Sequence, residues 1–498
     1  MRALFLAGLL AVATAASAAE PADKPAADKA AAKADAISLP PLPADKTVTQ
    51  STVVAGKTIS YQATVGTLPV YDAKGKKIGE VVYTAYVVPG RAAQRPVTFA
   101  FNGGPGAASA YLNFGAIGPK HVQFGAQGDA PSDSAVVRDN PNSWIDFTDL
   151  VFIDPIGTGY SRSLVDEAET KKAFYGSKPD IEYLSRIIFD WLTKYGRQTS
   201  PKYLVGESYG GYRVPRLAYQ LQSQQGVGLN GIFMVSPALS PRTIFGDVTA
   251  LTPMNYIATL PSMNAGLLDR EGKLTSPEAL APVEAYARGQ FATDLLRGRS
   301  DPQAIDRLVT QVSAFTGLDP KLVRQLEGRV DVRTFLREIH RDQKTIGSAY
   351  DSNVTTFDPF PGSADQRSND PILDTAIAPV TGAAVDFMTR TVGWQLDARY
   401  YLLNYSVNTQ WDWNLDDDAI VDLRKAISID PRMPVVIAHG MDDLSCPYFA
   451  SKMVIDQMPT FGVPNRVNLA LFAGGHMFYS RPDSGAAFRR TALAVYQH

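Results

Sequence analysis

Apolar residues recur along the chain in two rhythms. From 58 to 88 they alternate with polar ones: Ile59, Tyr61 and Ala63 fall on one side of an extended chain, and Asp72-Ala73-Lys74-Gly75 is a turn signal. This stretch predicts one or two antiparallel hairpins. Beyond it the alternation stops. Short runs at 97–101, 150–153, 203–205, 231–235, 435–438 and 467–472 are apolar but for Thr98 and Asn468, and each ends in glycine-rich or polar residues. Runs of that kind suit strands buried on both faces of a parallel sheet. Helical patterns such as 181–192 lie between them, so the element order is α/β, a mostly parallel sheet with helices on both faces.

One interval breaks this rhythm. Between 241 and 385 the pattern predicts helices rather than sheet strands. Ile305, Leu308, Val309 and Val312 share one helical face, as do Phe335, Leu336 and Ile339, and Asp301-Pro302 and Asp319-Pro320 resemble helix starts. The interval reads as a helical cap inserted between two parts of a core, 47–240 and 386–498. Its place in the chain puts it over the carboxyl ends of the strands, where ligands of α/β sheets bind.

The amino end has a different character. Arg2, an apolar run from Leu4 to Val12, and Ala16-Ser17-Ala18 form a secretory signal pattern over 1–18. The run is too short to span a bilayer. Residues 19–46 are mostly Ala, Pro, Lys and Asp, a composition that cannot bury a core and reads as a disordered linker. Export with a single cysteine, Cys446, leaves no internal disulfide, which favours a bacterial periplasmic or secreted setting over a eukaryotic secretory one. The formal net charge of −2 offers no basic footprint for nucleic acid. No cluster with metal-ligand spacing is present, and the sequence calls for no cofactor.

The chemistry gathers on the turns after the apolar runs. Gly206-Glu207-Ser208-Tyr209-Gly210 fits the nucleophile elbow G-x-S-x-G, preceded by an apolar strand. A helix can follow, with Leu217, Ala218 and Leu221 on one face and Pro215 in its first turn. A serine hydroxyl needs a base. Of the five histidines, His476 follows the last strand-like run in an exposed glycine turn, as the order serine, acid, histidine of the α/β-hydrolase fold requires. The acid belongs on the loop after 435–438, where Asp442 and Asp443 both stand, and spacing does not choose between them. A tetrahedral oxyanion needs backbone N–H donors. Tyr209 and the Asn102-Gly103-Gly104 loop are the candidates.

These motifs together resemble the serine carboxypeptidase family: Asn102-Gly103-Gly104-Pro105-Gly106, Asn140-Pro141-Asn142-Ser143-Trp144, 154–161, Gly206 to Gly211, Gly440 to Cys446 and Gly475-His476-Met477. The resemblance covers most of the chain from about 97 onward and is weakest in the cap. It implies that Asp443, three residues before Cys446, is the catalytic acid, and that the N–H of Gly104 is the second oxyanion donor. Asn102 and Glu207 would then hold the free carboxylate of a peptide, with Cys446 and Met477 lining the pocket. One departure matters. Ala116, in Ala116-Ile117-Gly118-Pro119, stands where the family usually has a glutamate that bridges to the carboxylate-binding pair. The expectation is an exported serine carboxypeptidase acting on peptides through an acyl-enzyme on Ser208. The alternatives are an esterase or acyltransferase on the same scaffold and, further off, a non-catalytic binding protein.

Overall fold

The alternating stretch near the amino end folds as three antiparallel strands, β1 (Lys46–Val54), β2 (Lys57–Tyr71) and β3 (Lys77–Val87). Asp72 closes the β2–β3 turn, its carboxylate accepting from the N–H groups of Lys74 and Lys76. The computed structural model describes residues 39–90, 94–124, 132, 135–240, 253–363, 370–413, 418–462 and 466–497. The signal segment 1–18 and the linker up to 38 lie outside the described residues. The end of the linker differs from expectation. Asp45 accepts from Thr67 N–H at 3.1 Å and is ion-paired with Lys194 at 2.5 Å, and Lys46 already opens β1. That charge pair anchors the chain before residue 46.

The remaining strands are β4 (Val97–Phe101), the short β5 (Lys120–His121), β6 (Arg138–Asp139), β7 (Asp149–Ile153), the short β8 (Arg162–Ser163), β9 (Lys202–Glu207), β10 (Gly231–Val235), β11 (Thr345–Ser348), β12 (Asp351–Phe357), β13 (Val435–Gly440) and β14 (Val467–Phe472). The main sheet has ten strands. Nine run in the order β1-β2-β3-β7-β4-β9-β10-β13-β14, and β8 pairs with β3. From β7 to β14 every pairing is parallel. The apolar runs from β4 to β13 become strands of this sheet because both their faces are covered, whereas the edge strand β14 is only partly buried. In β10, Ile232 and Met234 face a core shared with Leu184, Ile188 and Leu217, while Phe233 and Val235 face one shared with Trp144 and Phe488. The helices Ser177–Lys194 and Tyr209–Gln220 thus cover one face, and Pro482–Tyr496 the other.

The insertion packs its own apolar side chains, among them Leu260, Met263, Leu308, Val312 and Phe335, onto Met441, Leu444, Tyr448 and Phe449. Those four follow β13, so the insertion sits on the carboxyl end of that strand. Asp301 caps its helix as the sequence indicated, accepting from Gln303 and Ala304 N–H. The insertion is not all helical: β11 and β12 form an antiparallel hairpin inside it. Its Asn353-Val354-Thr355-Thr356 run is too short to signal a strand, and it gains its partner only through the turn at 349–350. The helix Pro371–Asp386 runs across the expected 385/386 boundary as one element. By length and composition the helix over Pro371–Val392 could cross a membrane. Here Ile372, Ala376, Val380, Ala383 and Phe387 are buried in the protein core.

Candidate active site

Ser208 lies between β9 and the helix Tyr209–Gln220 with φ 61° and ψ −121°. A left-handed φ on a non-glycine residue is strained and persists only where the surroundings fix it. They do so here: Ser208 N–H donates to Val235 O at 2.9 Å, and a Cβ on Gly206 or Gly210 would collide with backbone. The helix begins directly at Tyr209, earlier than its apolar stripe indicated. Pro215 therefore lies inside the helix rather than in its first turn. Ser208 remains half-buried, whereas the residues around it are buried.

His476 sits on the turn after β14 and Asp443 on the turn after β13. The two meet through His476 Nδ1 and Asp443 Oδ2 at 2.8 Å. Asp443 Oδ1 accepts from the N–H groups of Ser445 and Cys446. The other ring nitrogen, His476 Nε2, is buried and has no hydrogen-bond partner among the described residues. The histidine turn is tied to the elbow through Ser236, whose Oγ donates to His476 O at 2.8 Å. Of the two acids left open by spacing, Asp443 is the one on the imidazole. Asp442 turns into the cap, where it accepts from Ser352 N–H and Oγ. His439 has its Nε2 paired with Ser451 Oγ, and its Nδ1 lies 4.0 Å from Asp443 Oδ2, beyond hydrogen-bond reach.

The Asn102–Gly106 loop lies against the elbow. A Cβ on Gly103 would collide with Tyr209 N, so only glycine lets this loop approach that N–H. Gly104 is exposed with φ 100°. Arg213 from the elbow helix ties the parts together. It donates to Asn102 O at 2.7 Å and pairs with buried Asp180 at 2.6 Å. The 140–144 motif is structural support: Asn140 Nδ2 donates to the carbonyls of Ala116 and Gly118.

Beside Ser208 lies Glu207, only 1% exposed. Its Oε2 accepts from Asn102 Nδ2 at 3.0 Å and from Tyr479 OH at 2.7 Å. Cys446 and Met477 are buried near the same centre. Tyr479 was not singled out in the sequence, and neither was the cap turn at 349–352. Tyr350 O accepts from His476 N–H at 2.5 Å, Ala349 O accepts from Leu444 N–H, and the Tyr350 ring stands edge-on to the imidazole with centroids 4.7 Å apart. Arg481 joins this turn to the histidine loop by pairing with Asp351. A turn inside a helical insertion leaves no signal in the sequence that it touches loops about a hundred residues later.

Burial dominates the electrostatics. It pushes Glu207 up to about 7, against the pull of protonated His476 and of the Tyr479 and Asn102 donors, while Asp443 adds to the rise. Burial alone would lower His476, but Asp443 at Nδ1 and the nearby Cys446 outweigh it and hold the ring above the ordinary histidine range. Burial and His476 bring His439 down to about 3, so it stays neutral. Asp442 is pushed well up by burial and by neighbouring Asp351.

Residues 64–261 match the sequence profile of the family described as serine carboxypeptidase. Among curated proteins, the chain is 29% identical to "Serine carboxypeptidase-like 36" of Arabidopsis thaliana over 40% of its own length and 39% of that protein. It is 28% identical to "Vitellogenic carboxypeptidase" of Aedes aegypti, over 45% and 41% of the two lengths. The match thus spans about two fifths of these relatives. Among solved structures, the prohormone-processing carboxypeptidase Kex1(delta)p of Saccharomyces cerevisiae superposes with a TM-score of 0.57 at 15% identity, covering 88% of this chain and 91% of that one. At that identity the likeness is one of fold. The profile match takes in the Asn102–Gly106 loop and the elbow, so over this part the chain is similar to the serine carboxypeptidases, and its architecture is that of the α/β-hydrolase fold.

Proposed function

We propose that the protein is an exported carboxypeptidase that removes C-terminal residues from peptides. Ser208 Oγ attacks the carbonyl of the last peptide bond while His476 Nε2 takes its proton. Asp443 holds the imidazole in the tautomer with its proton on Nδ1 and stabilises the imidazolium. The N–H groups of Tyr209 and Gly104 bind the developing oxyanion. The imidazolium then protonates the departing amine, and the acyl group stays on Ser208. Water attacks that ester with His476 again as base, which releases the shortened peptide and restores the hydroxyl. Cys446 and Met477 line the pocket.

The observation that carries this reading is Glu207. A carboxyl group buried one residue from the nucleophile has no part in acyl transfer itself, but in protonated form it can donate to the terminal carboxylate of a peptide. Asn102, bonded to it, presents an amide to the same place. The relatives' names point the same way. The 1–18 signal pattern supports export, with the periplasm the compartment in a bacterium.

A second reading, esterase or acyltransferase, is favoured by Ala116, which removes a family carboxyl group from this cluster. One comparison separates the two. A carboxypeptidase cleaves a peptide with a free C-terminus and leaves its C-terminal amide intact, whereas an esterase turns over esters and neither peptide. Failure of a fluorophosphonate to label Ser208 would instead leave a binding protein.

A further inference from the structure

The carboxylate-reading cluster has Ala116 in place of a glutamate, and Glu207 has a different partner. The turn Leu112–Ile117 carries Ala116, which is buried, and a Cβ on neighbouring Gly115 would lie 3.3 Å from Tyr479 Cε2. The Tyr479 ring therefore packs on the backbone beside Ala116. It is wedged there by Phe124, whose centroid is 6.3 Å away, and by Phe478 at 5.8 Å. From this position its hydroxyl reaches Glu207 Oε2. We propose that Tyr479, rather than a second carboxyl group, is the specificity-setting partner of Glu207, which it reaches from the turn after β14. The proposal deepens the carboxypeptidase reading of this site and rests on it for its consequence for substrates.

The exchange changes the chemistry. A second carboxyl group beside Glu207 would share a proton with it and disfavour its ionised form. A tyrosine hydroxyl donates and has no charge to oppose, so it stabilises ionised Glu207. Burial and the Glu207 charge itself hold Tyr479 well above the ordinary phenol range, so it remains a donor at all working pH values. The other groups facing Glu207 are His476, Asp443, Asn102 and Tyr111. Tyr111 OH is buried without a partner among the described residues, so it does not duplicate the Tyr479 bond. Tyr479 should therefore lower the pH above which Glu207 stops holding a peptide carboxylate.

The test is Tyr479→Phe, which keeps the ring wedged against Gly115 and removes only the donor. Loss of a donor to the charged form should raise the proton affinity of Glu207 by about one pH unit. Two readouts are made. The first is an isotope-edited infrared titration of the Glu207 carboxyl band, with Glu207→Gln to identify the band. The second is the alkaline limb of kcat/KM for a peptide with a free C-terminus. An upward shift of both in Tyr479→Phe supports the proposal. An infrared midpoint that does not move overturns it. A moved midpoint with an unmoved peptide limb retains Tyr479 as the setter of Glu207 but removes its role in specificity. If Glu207→Gln itself leaves the peptide limb in place, the carboxylate reading of Glu207 fails instead.

Discussion

Two adjacent aspartates with opposite surroundings give the sharpest residue-scale contrast. Asp443 faces His476 Nδ1 and accepts two backbone N–H groups, so it is useful as a carboxylate. Asparagine there could turn a donor toward the ring and favour the wrong tautomer. Asp443→Asn should cost roughly 10⁴-fold in kcat. Asp442 lies away from the imidazole, accepting from Ser352 N–H and Oγ in the cap, and asparagine keeps an acceptor there. Asp442→Asn should be mild. Steady-state kinetics of the two variants decide the matter, and a more damaging Asp442→Asn would reverse the assignment. Ser208→Ala and His476→Ala should each remove activity by about 10⁴-fold or more, because members of such a set act as a unit. The pH dependence follows from two signs. His476 acts as base only when neutral, so activity rises as pH climbs through its raised value. Glu207 would hold a carboxylate only when protonated, so peptide binding falls as pH rises through about 7, and somewhat later once His476 is neutral and its pull is gone. Ester substrates lack the second limb. Rate profiles of matched peptide and ester should therefore diverge on the alkaline side, and Glu207→Gln should close the gap. Parallel profiles would mean that Glu207 does not read the carboxylate.

The cap hairpin carries the main consequence at the scale of elements. Its turn accepts from His476 N–H and Leu444 N–H and donates to Asp442, so an inserted segment buttresses both loops that present the acid and the base. Ser352→Ala removes a buried hydroxyl donor to Asp442 while leaving the backbone bond. It should lower stability by about 1–3 kcal/mol, read from the urea midpoint. An unchanged midpoint would mean that the hairpin merely rests on these loops. Legibility in the sequence divides along the same line. The parallel strands were readable because residues buried on both faces leave unbroken apolar runs, as at Gly231–Val235. The elbow, the glycine loop and the histidine turn were readable because strained or close-packed backbone demands particular residues at fixed spacing, as Gly103 against Tyr209 N illustrates. The 349–352 turn and Tyr479 were not readable. Their importance comes from contacts 90 to 272 positions away in the chain, and nothing local marks an ordinary tyrosine or serine for such a part. The elbow helix was readable in kind but not in extent. Its first turn is set by the strain at Ser208, not by an apolar stripe.

At the scale of the whole molecule, the parallel part of a mixed sheet presents Ser208, Asp443 and His476 on the turns after β9, β13 and β14, with the cap packed against the residues that follow β13. Ser208, His476 and Asp443 would serve any acyl transfer. What would make this protein an exopeptidase is the buried Glu207 beside the nucleophile, flanked by Asn102 and Tyr479. The most direct measurement is mass spectrometry of a peptide incubated with the purified enzyme, run beside its C-terminal amide and beside the Ser208→Ala variant. The account predicts stepwise loss of C-terminal residues from the free acid, an intact amide, and no change with the variant. Internal cleavage, or equal cleavage of acid and amide, would contradict it.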